Sequence, residues 1–289
     1  MKFAIAAAYS DPRDLVALAR AADACGWDAI AVSDHVIHPE QPRTPYPYTA
    51  DGSRRWPAFT SWPDPWVAIG AMAAVTTRLR FLTNVFVLPM RSPFLVAKAV
   101  GTAAVMSGNR VALGVGVGWM RDEFELLGQD FHTRGRRTDE MIEVMRKLWS
   151  GQMVEHQGEF YAFDRLEMSP APTEPVPIYF GGVTEPALRR VARLGDGWIS
   201  DIHTSDELRV ICAKLRSYRA DAGRGGAELT VIASANDAFG VDGYRRLEDA
   251  GVTHVMTMPW FFYGGPTIPV DRKLESVTRF ADDVIAKMR

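Results

Sequence analysis

Three short segments of this 289-residue chain carry residue types able to do chemistry. In the first, Asp34 and His35 follow the apolar run Ala29 to Ser33, with His38 three residues later. An imidazole placed there can act as a general acid or base, or hydrogen-bond a cofactor ring. The plainer alternative is a satisfied polar pair. A metal site built from His35, His38 and Glu40 is not expected, because Pro39 interrupts the segment and no other apolar run ends in an obvious His or Cys ligand. In the second, Asn84 interrupts the apolar stretch Leu82 to Pro89. A buried amide is costly unless paired, so this one is either a satisfied core amide or part of a site. The third is a pair of glycine-rich runs. Gly114, Gly116 and Gly118 alternate along Gly114 to Trp119, where glycine marks close approach of backbone to another group. The third glycine of a dinucleotide fingerprint is missing. Gly181-Gly182-Val183-Thr184 precedes a helix-patterned stretch, so its N–H groups suit a phosphate or carboxylate, or else it forms a tight turn.

These residues need elements to hold them. Strand-like runs fall at 3–8, 29–33, 80–87, 110–116, 177–180, 197–200, 229–234 and 253–258. Helix-like stretches alternate with them. The first starts at Asp11-Pro12 and stops at Gly26; the others span 64–77, 93–107, 136–150, 185–194, 205–222, 242–250 and 271–288. Buried strands alternating with amphipathic helices demand a parallel sheet covered by helices. Eight of each favour an α/β fold of the (β/α)8 TIM-barrel type over a doubly wound open sheet. At 289 residues the chain exceeds the ~250 of a typical barrel, so insertions are expected. One, Val36 to Trp62, follows the second strand and is rich in Pro, Tyr and Trp; the other, Gly151 to Val176, lies between the fourth helix and the fifth strand. Barrel enzymes work at the C-terminal ends of their strands, so the first insertion is the expected lid. The second contains a hairpin pattern turning at Gln157-Gly158. No linker divides the chain, which reads as one domain over 1–289.

Composition narrows the function classes. Formal net charge is −2, from 33 Lys+Arg and 35 Asp+Glu scattered along the chain, which argues against nucleic-acid or membrane-surface partners and for a small-molecule substrate. Cys25 and Cys212 are spaced like neither a metal site nor a redox pair and read as reduced core thiols. With no signal-peptide pattern and no ~20-residue apolar run, a cytoplasmic location is the expectation. Tyr46, Tyr48, Trp56, Trp62 and the run Trp260 to Tyr263 suggest either an apolar substrate pocket or packing.

Taken together, the motifs resemble the bacterial luciferase-like monooxygenase superfamily, and within it the oxidoreductases dependent on coenzyme F420, a 5-deazaflavin. The resemblance runs almost end to end. Its carriers are Asp34-His35, Thr83 to Pro89 with Arg91 and Pro93, Gly114 to Trp119 with Glu123-Phe124, then Arg134, Arg137, Glu140, Phe180-Gly181-Gly182 and Gly195 to Trp198. The resemblance implies a non-proline cis peptide at Asn84-Val85, bulging behind the cofactor ring. It also implies His35 near the ring's reactive edge, with Asp34 orienting it. Backbone around Gly181, Gly182 and Val183 would hold the phosphate, and Gly116 and Gly118 would line the cofactor site. FMN-using members carry an arginine where this chain has Val117, a departure that favours F420 over FMN. The expected activity is hydride transfer between the deazaflavin and a small organic substrate. The alternatives are an FMN-dependent monooxygenase served by a separate reductase and a non-catalytic flavin-binding barrel. A homodimer is expected, although no stripe in the sequence identifies its interface.

Overall fold

Phe3 to Ala6 lie in a buried strand, the first of eight that close on themselves. The computed structural model describes residues 1–289. The barrel strands are β1 (Lys2–Ala6), β2 (Ala29–Val32), β3 (Arg80–Thr83), β4 (Val111–Gly116), β5 (Ile178–Gly181), β6 (Gly197–His203), β7 (Thr230–Ala235) and β8 (His254–Thr257). Every neighbouring pair is parallel, β1 joins β8, and Phe81 opposite Val111 closes the ring between β3 and β4. The helices around it are α1 (Leu15–Cys25), α2 (Pro65–Ala73), α3 (Pro93–Ser107), α4 (Arg134–Leu148), α5 (Glu185–Leu194), α6 (Ser205–Asp221), α7 (Gly240–Ala250) and α8 (Val270–Phe280). The expected (β/α)8 barrel is therefore the fold.

Local sequence accounts for the helix ends. Asp64 accepts hydrogen bonds from the Trp66 and Val67 N–H groups, with Pro65 at the first helical position, so α2 starts there. Thr204 and Glu207 form a reciprocal capping box on α6. Gly26, at φ 82°, ends α1 in the left-handed conformation that only glycine adopts cheaply. Inside the barrel, Ala4, Ala6, Ala29, Ala31, Leu82, Ala112, Ile199, Ile232 and Met256 form a separate core. Alanine at so many inward positions keeps that core narrow. A second, larger core lies between the strands and the helices and includes Phe3, Phe81, Trp198 and Phe280. No helix is long and apolar enough to cross a membrane.

Several details differ from the sequence reading. The third strand, read as continuous to Val87, breaks at Thr83 and resumes pairing with β4 at Phe86–Val87; the Asn84–Val85 peptide between is cis, as the family resemblance implied. Two short helices, Arg121–Leu126 and Trp260–Tyr263, were too brief to show a period. The last helix gives way to a π-helical turn at Ala281–Ile285. In the second insertion, strands Val154–Gln157 and Ala162–Leu166 pair with Gln157 opposite Ala162, so the hairpin loop is Gly158 to Tyr161. Glu140 fixes this loop by accepting from the Phe160 and Tyr161 N–H groups. Both cysteines are free thiols, Cys212 in the core and Cys25 only half-buried. The Val36–Trp62 segment contains neither helix nor strand.

Candidate active site at the C-terminal rim

β2, β3, β4 and β5 are consecutive around the barrel, and each ends in one of the segments singled out from sequence. His35, Asn84-Val85, Gly116 with Gly118, and Gly181-Gly182-Val183 thus follow one another along one side of the C-terminal rim. His35 lies two residues beyond Ser33, whose hydroxyl donates to the Asn84 carbonyl at 2.8 Å. That bond ties the end of β2 to the break in β3.

The imidazole is held by a carboxylate that spacing alone did not assign. Glu123, only 2% exposed, lies 3.2 Å from His35 Nδ1 through Oε2, and its Oε1 accepts from the Val36 N–H at 2.6 Å. One buried side chain therefore orients His35 and fixes the start of the lid. Nδ1 is engaged, which leaves Nε2 as the free ring nitrogen.

Asp34 does not orient His35, contrary to expectation. Its carboxylate takes both Arg91 terminal nitrogens at 2.8 Å and the Val87 N–H at 2.9 Å. Adjacent side chains on extended backbone diverge, so one of this pair turns to the Phe86–Arg91 segment and the other to Glu123. Burial raises the Asp34 pKa, and the Arg91 guanidinium opposes that rise. Asp34 is a strut between β2 and the start of α3.

The glycines prove to be shaped by the chain itself. A Cβ on Gly116 would sit 2.6 Å from the Val85 side chain, and one on Gly181 would sit 3.2 Å from it, so the two strand ends flank Val85. Gly114 lies against Thr83, whose hydroxyl exchanges hydrogen bonds with the Gly114 N–H and carbonyl. Gly182 has φ 101° and accepts from Trp198 Nε1 at 2.8 Å. Thr184 precedes α5 without a side-chain cap, and Val183 is exposed. The first N–H groups of α5 are therefore left without a side-chain cap.

Over His35 lies the lid. Its Trp56 and Trp62 rings have centroids 5.0 and 5.1 Å from the imidazole, and Trp119 lies at 6.1 Å. Tyr46 packs edge-on against both Trp56 and Trp119. Arg55 fastens the lid to the end of β6 through a two-pronged bond to Asp201 at 2.7 and 2.9 Å. The other aromatic run does not join this cluster. Trp260 is core, and Phe262 packs on Phe239 and Phe280 outside the barrel.

Buried polar atoms without partners also collect here. Ser10 Oγ follows β1, His38 Nδ1 follows β2, Trp62 Nε1 is in the lid, and His203 Nε2 ends β6. A buried polar atom without a partner is costly; Trp66 Nε1, Asn109 Oδ1 and Arg137 Nε are likewise unpartnered elsewhere in the chain. No group of three or more His, Cys, Asp or Glu side chains is arranged to hold a metal ion, and His35, His38 and Glu40 form no cluster of that kind.

A parallel barrel with a carboxylate-oriented histidine at its C-terminal rim, under an aromatic lid, has the layout of a (β/α)8 enzyme site. The chain belongs to the luciferase-like monooxygenase family, whose model matches residues 3–263. It is 41% identical over 292 residues to an uncharacterized Mycobacterium tuberculosis protein, covering 100% of both. To the F420-dependent glucose-6-phosphate dehydrogenase of Nakamurella multipartita it is 30% identical over 243 residues, 82% of this chain and 67% of that one. Its fold is similar to that of an F420-dependent secondary alcohol dehydrogenase solved with an F420-acetone adduct, at TM-score 0.78 and 17% identity, covering 100% of this chain and 99% of the other.

Proposed function

We propose that this chain is an F420-dependent oxidoreductase that moves hydride between the deazaflavin and a small organic substrate beneath the Val36–Trp62 lid. The observation that carries this reading is His35, oriented by Glu123 beside the Asn84-Val85 break. Relatives named for F420 dependence support the cofactor, as does Val117 where FMN-using members are expected to have arginine.

The rim suits such a group. Val85, seated between Gly116 and Gly181, offers an apolar surface to one face of a flat ring, and Asn84 lies beside it. Gly182, Val183 and the start of α5 suit a phosphate held by backbone N–H groups. When bound, the deazaflavin supplies two-electron hydride donation or acceptance. His35 Nε2 would give a proton to, or take one from, the substrate oxygen, while Glu123 fixes the imidazole through Nδ1. The lid excludes water from that proton and aligns the substrate. Asp34 supports the rim without touching the reacting atoms.

The same reading includes a homodimer. Val67, Leu95 and Met106, each more than 70% exposed, border an apolar groove between α2 and α3 on the outside of the barrel. α2 carries no charge and α3 only Lys98, with Asp64 and Arg91 at the edges of the groove, so a second copy presents a matching, largely apolar face.

Turnover tests the reaction. Reduced F420 mixed anaerobically with the enzyme and a panel of ketones should be reoxidised, with wild type faster than His35→Ala. Oxygen consumption with reduced FMN in place of that reaction would favour the monooxygenase reading. Cofactor binding without any turnover would favour a non-catalytic barrel.

A further inference from the structure

The Val36–Trp62 lid carries three arginines, Arg43, Arg54 and Arg55, and no lysine. Two of them are neutralised. Arg43 pairs with Asp122 and Glu125, and Arg55 with Asp201. Arg54 differs, because its single hydrogen bond runs from Nη1 to the Pro39 carbonyl at 2.9 Å and it makes no ion pair. Its Nε and Nη2 are left unused. Glu40 directly follows Pro39, yet it is exposed and makes no ion pair either. Exposure alternates along the segment, since Ser53 and Arg55 are exposed, Arg54 is half-buried and Trp56 is buried. Arg54 therefore shares the inward side with Trp56, whose ring centroid lies 5.0 Å from that of His35. Two residues of chain span at most about 7 Å, so Arg54 is anchored within a small molecule's length of the imidazole.

A second group lies beside it. His38 precedes Pro39, and its Nδ1 is buried without a partner. Desolvation, then Arg54 and His35 nearby, lower its pKa, so the ring is neutral near pH 7. With its proton on Nδ1, a neutral imidazole can donate to an oxygen that the guanidinium also holds. The chemistry that fits this pair is a carboxylate. Nε and Nη2 of a guanidinium form a planar fork that meets two carboxylate oxygens at once. One unpaired cation and one neutral ring balance a single negative charge, whereas a phosphate dianion would keep charge uncompensated in a half-buried place.

Resting on the F420-dependent reading above, we infer that the substrate carries a carboxylate, held under the lid by the Arg54 fork with His38 Nδ1 as a second donor. Arg54 is then a specificity-determining residue, which binds the anionic end of the substrate and takes no part in the hydride step. A neutral substrate gains nothing from it.

Calorimetric titration of the full chain tests the inference, with F420 retention measured first by ultrafiltration. Failure to retain F420 counts against the cofactor reading alone, because the same titrations on cofactor-free protein still decide whether Arg54 selects carboxylates. The probes are levulinate and phenylglyoxylate, the methyl ester of each, and glucose 6-phosphate. At least one acid should bind with a Kd below about 1 mM, and about fivefold or more tighter than its ester. Glucose 6-phosphate should bind more weakly than that acid. Arg54→Met keeps the apolar stem but removes the fork, and should bring the acid down to the affinity of its ester while ester affinity and F420 retention stay unchanged. Arg54→Lys keeps the charge without the fork and should retain part of the preference. No binding of either acid, esters binding as tightly as their acids, tighter binding of glucose 6-phosphate, or an acid preference that survives Arg54→Met would overturn it.

Discussion

His35 owes its orientation to Glu123, a carboxylate 88 residues away in the chain. This pairing separates two effects that mutation can measure. His35→Ala removes the proposed proton carrier but leaves Val85 and the glycine backbone in place. Turnover should fall by about 10²- to 10⁴-fold, with F420 affinity nearly unchanged; equal losses in both would make His35 a binding residue. Glu123→Leu strips the acceptor from the Val36 N–H and from His35 Nδ1, and should destabilise the fold by about 2–4 kcal/mol in urea unfolding. A change below about 0.5 kcal/mol would mean the lid does not depend on it. The place of His35 at the rim was legible in the sequence because it follows a short apolar run that reads as a barrel strand. Glu123 stood in a recognisable motif, but its role was hidden, since nothing in the spacing says which of two neighbouring side chains turns toward it. For the same reason Asp34 was assigned to His35 when its partner is Arg91.

At the level of elements, periodicity located all eight strands and eight helices, because the alternation of buried runs with amphipathic stretches is imposed by burial itself. It failed where geometry departs from a repeat. The break in the third strand at Asn84, the six-residue helix Arg121–Leu126 and the π-helical turn near the C-terminus leave too little pattern to read. One element also carries a pH dependence. His254 begins β8, where burial, then Lys2, the N-terminal ammonium and Arg80, lower its pKa to about 4. The folded state thus holds this imidazole neutral while the unfolded chain protonates it near 6.5. Its contribution is complete above pH 6.5 and is lost as pH falls from about 6.5 to 4, by up to about 3 kcal/mol. His254→Gln should flatten the stability profile across that window in denaturant melts. A slope matching wild type would assign the effect to other groups.

The whole molecule is a closed barrel with a narrow alanine-lined core, nearly neutral in charge, whose proposed site lies on one rim. Near-neutrality is compatible with an anionic cofactor when backbone N–H groups at a helix start do the holding. The largely apolar α2–α3 face should make the 32.0 kDa chain sediment as a species of about 64 kDa, and Val67→Glu combined with Met106→Glu should return it to the monomer. A wild-type monomer at micromolar concentration would leave that face without its partner. The family resemblance implied a dimer without placing it, because α2 and α3 are so rich in apolar residues that their outward ones emerge only once the barrel is assembled.

The central claim is the identity of the cofactor at this rim, and competitive binding measures it most directly. Tryptophan-fluorescence titration of the purified chain with F420 and, separately, with FMN should give a Kd for F420 at least about tenfold lower, a difference of about 1.4 kcal/mol. FMN binding as tightly as F420 or more so, or no saturable F420 binding, would contradict it.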